Sequence, residues 1–162
     1  MKHQLSFLWA CLFLLSACSV VVEESIDSSD PDVSTITFAN EYPASSIDAN
    51  TFLLGGSSRI WQTIAFTIEG VNGFQNCRLD DEIELREDGT YYYDGGEMLC
   101  GAEDNQKIKQ GEWRLDEESR TLIFDEGAET QTEIYIESLT EEEMVISTHY
   151  YQWKVVGKFS HD

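Results

Sequence analysis

The groups that could do chemistry in this chain are mostly carboxylates. The sequence carries 31 Asp and Glu against 10 Lys and Arg, with three His and four Cys in 162 residues. General acid–base work needs two carboxyls held in different environments, so that one is protonated while the other is ionised. Asp80-Asp81 and Glu141-Glu142-Glu143 are adjacent acids. In a chain this acidic, such pairs arise without a site. No spacing sets one of them apart as an acid/base pair. There is no G-x-S-x-G, no H-E-x-x-H and no phosphate-binding glycine loop. His149 stands alone among tyrosines, and Asp27, Asp30 and Asp32 do not fit the spacing of a calcium loop. The expectation is a protein that is not an enzyme and needs neither metal nor cofactor.

Aromatic residues are the stronger lead. Tyr91, Tyr92, Tyr93, Tyr135, Tyr150 and Tyr151, with Trp61, Trp113 and Trp153, fall in segments that alternate apolar and polar residues. Those that point inward in a small barrel can line an apolar pocket. Tyr91, Tyr93 and Tyr150 are the candidates for such a lining near one rim. The alternative is a filled interior, packed by Trp61, Trp113, Ile83, Leu85 and Ile134. A slip of one residue exchanges the two faces of a strand, so alternation alone leaves open which tyrosines face inward.

The elements that would position them are strands. From about residue 57 the period is two: Ile60, Gln62, Ile64, Phe66 and Ile68 share one face, and Trp61, Thr63, Ala65 and Thr67 the other. Glu82 to Arg86 alternates, Glu87-Asp88-Gly89 turns, and Thr90 to Tyr93 returns as a hairpin partner. The same rhythm continues through Gln110–Leu115, Thr121–Phe124, Glu133–Glu137, Met144–Tyr151 and Trp153–Phe159. No segment after the N-terminal region sustains a 3.6 period. Eight short strands with short connections predict an all-β, antiparallel up-and-down meander. Closing it into a small barrel removes exposed edges. A two-sheet sandwich is the rival arrangement.

The N-terminus carries an address. Leu5 to Ala17 is an apolar run of 13 residues behind Lys2. It is too short to span a bilayer, which takes about 20 residues, and suits a secretory signal. Leu15-Ser16-Ala17-Cys18 resembles the lipobox of bacterial lipoproteins. That resemblance implies cleavage before Cys18 and acylation of its thiol and amino group. Several acyl chains anchor firmly where one is marginal. The other reading is an ordinary signal cut near Ala17, leaving a free Cys18. Ser19 is not an inner-membrane retention aspartate, so by analogy the outer membrane is expected, on either face.

Three domains follow: residues 1–17 as a lipoprotein signal peptide, 18–51 as a flexible acidic tether, and 52–162 as the barrel. The tether is rich in Ser, Asp and Glu, holds both prolines, and offers too little apolar surface to offset chain entropy. Val33 to Phe38 is less polar and could pair as a loose strand. With Cys11 in the signal and Cys18 acylated, Cys77 and Cys100 remain in an oxidising compartment and are expected to form a disulfide. A metal site would need more soft ligands than His149 and His161 supply. Removing Lys2 with the signal leaves nine bases against 31 acids, a charge near −22. Such a surface repels nucleic acid and anionic membranes and keeps the tethered domain soluble, expected as a monomer.

Several of these pieces also carry a family resemblance. Trp61, Cys77, Asp80-Asp81, Asp88-Gly89-Thr90-Tyr91, Cys100, Gly111-x-Trp113, Leu122-x-Phe124 and the I-x-x-L-T of Ile136 to Thr140 resemble the lipocalin-like domain of lipoproteins from the Bacteroidetes, over about residues 52–155. The resemblance implies a small antiparallel barrel and no reaction. Two functions are compatible with it. One is a binding module that holds a small apolar or glycan ligand in the cell envelope. The other is an inhibitor-like interaction protein without a ligand cavity, whose acidic exterior docks a basic partner. The volume of the interior separates them.

Overall fold

The computed structural model describes residues 36–71, 75–98, 100 and 108–161. Helix α1 (Ser46–Leu54) is followed by β1 (Ser58–Ile68), the short helix α2 (Gln75–Arg78), β2 (Glu82–Arg86), β3 (Thr90–Asp94), β4 (Ile108–Asp116), β5 (Thr121–Phe124), β6 (Thr132–Leu139), β7 (Glu143–Tyr150) and β8 (Trp153–Ser160). The eight strands pair with their sequence neighbours, all antiparallel, and β8 closes on β1. The structure is the closed barrel expected from the period-two pattern, and not the sandwich.

Turn chemistry fixes the hairpins. Between β2 and β3, Asp88 Oδ1 accepts from the Thr90 backbone N–H at 2.9 Å, and Gly89 N donates to Arg86 O at 3.1 Å. Between β4 and β5, Asp116 Oδ1 accepts from Glu118 N and Ser119 N. The Asp88 and Asp116 bonds are of the Asx type, and with the backbone bond of Gly89 they satisfy donors a turn would otherwise leave unpaired.

Strand β1 departs from simple alternation. Thr63 pairs with Phe159 and Ala65 with Lys158, so Ile64 is an extra residue, a β-bulge. Below the bulge Trp61 and Thr63 point inward; above it Phe66 and Ile68 do. Neither of the two faces expected from the sequence is therefore continuous along the strand.

The expected tether runs into the folded unit. Its last residues belong to α1, so the packed chain reaches back at least to Ser46. Ser45 caps the helix: its Oγ accepts from Asp48 N at 3.2 Å and donates to Asp48 Oδ2 at 2.8 Å. Ala49 and Leu53, four residues apart, are fully buried in the core. The strand suggested for Val33 to Phe38 lies partly outside the described residues, and residues 36–43 carry no regular element. The signal segment and Cys18 lie outside them entirely.

The last carbonyls of α1 have no helical partners, a general problem at C-termini. Here β1 and the αL cap supply the donors. Gly55 N donates to Thr51 O at 2.8 Å, Arg59 Nη1 to Phe52 O, and Trp61 Nε1 to Leu53 O at 3.0 Å. The helix thus closes one end of the barrel. Around it lies the densest packing, with Trp61, Leu85, Ile136, Leu139 and Met144 all at 1 % exposure or less. Trp113 joins this base, its Nε1 donating to Arg86 O at 3.1 Å. The opposite end is marked by the last residues of β1, β3, β5 and β7 and the first of β4, β6 and β8.

Candidate functional site

The upper barrel is hollow. A cavity of about 1340 Å³ runs from the buried base to the end opposite α1. This is above the usual range of ligand sites, about 300–1,000 Å³. Its wall is largely apolar, built by Phe66, Ile68, Leu85, Leu122, Phe124 and Ile134. The interior is not filled as a purely structural core would be. Trp61 and Trp113 pack in the base and Leu85 forms part of its upper surface, whereas Ile83 and Ile134 face the open space.

Tyr91, Tyr93 and Tyr150 all line this cavity. They differ in depth. Tyr91 is buried, edge-on to Phe124 at 5.1 Å, and its hydroxyl donates to Asp125 Oδ2 at 2.9 Å. Burial, and secondarily the Asp125 bond and charge, push the Tyr91 phenol up to about 12. Gly111 on β4 makes that bond possible: a Cβ there would lie 1.9 Å from Asp125 Oδ1 and 2.9 Å from Tyr91 Cε1. Tyr150, by contrast, is 59 % exposed at the open end.

Tyr93 belongs to a polar cluster in the wall. Its hydroxyl donates to Asp81 Oδ2 at 2.6 Å, and Arg78 Nη1 lies 3.2 Å from the same oxygen and 3.1 Å from Tyr93 Oη. Lys109 Nζ sits 5.5 Å over the Tyr93 ring. The Asp81 side chain is only 6 % exposed. Burial raises its carboxyl above the ordinary range, against the Tyr93 and Arg78 bonds, which pull it down. Among the described residues, Asp81 Oδ1 has no hydrogen-bond partner. A carboxylate with one oxygen bonded to Tyr93 and Arg78 and the other unpartnered, set in an apolar wall, gives the cavity a polar pole.

A disulfide joins Cys77 to Cys100, with Cα atoms 5.1 Å apart. It ties α2, which carries Arg78, to the β3–β4 connection, and encloses the β2–β3 hairpin as expected. Asp80 adds a second clasp, its Oδ2 accepting from Glu97 N at 2.6 Å and Met98 N at 3.2 Å. Gly96, at φ +64°, lies so close to the Asp80 carboxyl that a Cβ would be 2.1 Å from Cγ. The adjacent acids therefore have separate tasks. Both precede β2; Asp80 holds a loop while Asp81 faces the interior.

Sequence reasoning missed Arg78, Asp81, Lys109 and Asp125 as wall residues. The signal for the first two was present, since Asp80-Asp81 stands three residues after Cys77. The signal for Asp125 was the glycine opposite it.

A closed eight-stranded meander, plugged at one end by a helix and hollow towards the other, is the architecture of a lipocalin-like barrel. The family profile described as a lipocalin-like domain matches residues 59–146, more than half of the chain, and the protein belongs to that family. The match starts in β1 and ends in β7, leaving α1 and β8 outside it. No curated protein and no solved structure matches the chain.

Proposed function

We propose that this protein is a binding module of the cell envelope, in which the barrel encloses a small amphipathic ligand. The observation that carries this reading is the 1340 Å³ cavity, open at one end and walled mainly by apolar side chains. Such a wall favours a hydrocarbon body over a glycan, because a sugar's hydroxyls would lose water without finding partners. The Arg78–Asp81–Tyr93 cluster would meet the polar end of the ligand. Tyr91, Tyr93 and Tyr150 are the aromatic contacts from depth to rim.

A fluorescent apolar probe such as N-phenylnaphthylamine tests the reading. It should bind the wild type with a stoichiometry of one. Ile134→Trp, which places a large ring into the cavity, should weaken binding at least tenfold while the thermal unfolding transition remains cooperative. A wild type that takes up no probe would remove the basis for the proposal. Salt distinguishes it from docking of a basic protein on the acidic exterior, which should weaken steeply between low and physiological ionic strength.

The same proposal places the module at a membrane through an acylated Cys18, on the strength of Leu15-Ser16-Ala17-Cys18. Radiolabelled palmitate should enter the wild type and not Cys18→Ser. Equal labelling of the two would refute the anchor.

A further inference from the structure

The two ends of the barrel present opposite chemistry. The closed end has turns made of acids: Glu87-Asp88, Glu117-Glu118 and Glu141-Glu142. The open end carries Val71, Met98, Ile108, Tyr150, Tyr151 and Trp153, every one of them at least 46 % exposed. These are six of the eleven large apolar residues exposed on the described surface; the other five lie singly on the wall and near the base. Val71 and the β7–β8 residues stand on one side of the mouth, with Met98 on the β3–β4 connection and Ile108 at the start of β4 across it. Ile108 and Tyr150 also line the cavity, so the apolar rim continues into the apolar interior.

The tip of the β7–β8 turn is built to project. Tyr151 is held at φ +56°, where glycine or asparagine costs less, and its side chain is 81 % exposed. Its ring meets Tyr150 edge-on at 4.8 Å. Tyrosine and tryptophan are the residues that favour the boundary between hydrocarbon and water. Charge near the mouth is mixed, Glu69, Glu97 and Glu129 against Lys109 and Lys154. The molecule as a whole is strongly negative, so an anionic surface would repel it.

We propose that the open rim docks on a bilayer of zwitterionic lipid, mouth towards the membrane, so that an amphipathic ligand passes between bilayer and cavity without crossing water. The inference rests in part on the ligand-binding reading, but its own observable is the contact of the rim. Chain length permits it. The 18 residues from Cys18 to residue 36 reach at most roughly 60 Å. The longest strand, 11 residues, covers only about 36 Å. A lipid on Cys18 and the rim can therefore lie on one bilayer even though the described chain begins at the closed end.

Trp153 provides the test. Trp61 and Trp113 are buried in the base, whereas Trp153 is 46 % exposed at the mouth. The full chain is reconstituted into phosphatidylcholine vesicles with brominated acyl chains, beside Trp153→Phe and Tyr151→Ser variants with unchanged thermal unfolding. Bromine quenching of the wild type should exceed that of Trp153→Phe, since every other tryptophan is common to both, and Tyr151→Ser should reduce it. Equal quenching of wild type and Trp153→Phe would overturn the proposal. Shielding of Trp153 from acrylamide in native membranes but not in vesicles would overturn it in favour of a protein partner. Probe uptake by the same chain without Trp153 quenching would leave the cavity as a binding site and end the docking. Quenching without probe uptake would do the reverse.

Discussion

Replacing Trp61 by phenylalanine should loosen the plug rather than the walls. Trp61 is fully buried and its Nε1 is the donor to Leu53 O at the end of α1. Phenylalanine keeps an aromatic ring but leaves that carbonyl enclosed without its donor, a loss of about 1–3 kcal/mol. The missing part of the indole adds a cost of roughly 1 kcal/mol for incompletely filled space. A total near 3 kcal/mol corresponds to a fall in melting temperature of about 10 °C for a domain of this size. Circular dichroism melts measure the total, and amide exchange locates it. The Gly55 amide, bonded to Thr51 O, should exchange faster, while amides shared by β5 and β6 keep their relative protection. Trp113→Phe supplies the control, since its Nε1 serves Arg86 O on the other side of the base. A loss below about 3 °C, or an exchange change spread evenly over the barrel, would refute the assignment of Trp61 as the latch of α1.

Two further outcomes follow from the upper barrel. Reduction of Cys77–Cys100, which closes a sequence separation of 23, should lower stability by about 3 kcal/mol on the chain-entropy estimate. The barrel should survive, because Asp80 still clasps Glu97 and Met98; loss of all β signal at 25 °C on reduction would contradict this. Tyr91 favours its protonated form in the folded state, with a phenol at about 12 against an ordinary 10. Its contribution is therefore complete below pH 10 and lost as pH rises towards 12. Chemical denaturation should show a steeper decline over that interval for the wild type than for Tyr91→Phe, and parallel profiles would disprove the shift.

Most of the barrel is legible in the sequence, because eight strands in a meander need only local alternation and local turns. Glu82–Arg86 against Thr90–Asp94 is a hairpin with its turn residues in plain sight. Tyr91 and Tyr93 line the cavity and Tyr92 does not, as period two requires once one of them is placed. Helix α1 is hidden for a physical reason. In nine residues only Ala49 and Leu53 are buried, too few to show a 3.6 period beside an acidic stretch. The bulge at Ile64 is equally silent, since an extra residue in a strand leaves no mark in composition. The polar cluster of Arg78, Asp81, Tyr93 and Lys109 is assembled by α2, the chain before β2, β3 and β4. Its members meet only because register and the disulfide bring those elements together.

The bulge in β1 divides the molecule into a foundation and a vessel that can change independently. Below it, Trp61 answers to the helix that seals the barrel; above it, the phase of the strand is reset, and Phe66 and Ile68 answer only to the hollow. A substitution at Phe66 or Ile68 alters what the vessel accepts without disturbing the seal. Deleting Ile64 would remove the bulge yet leave both stretches in phase, with Trp61 and Thr63 still inward below and Phe66 and Ile68 still inward above. Container and contents are thus specified by separate stretches of the same strand. New binding preferences can be grafted onto the old foundation one wall position at a time.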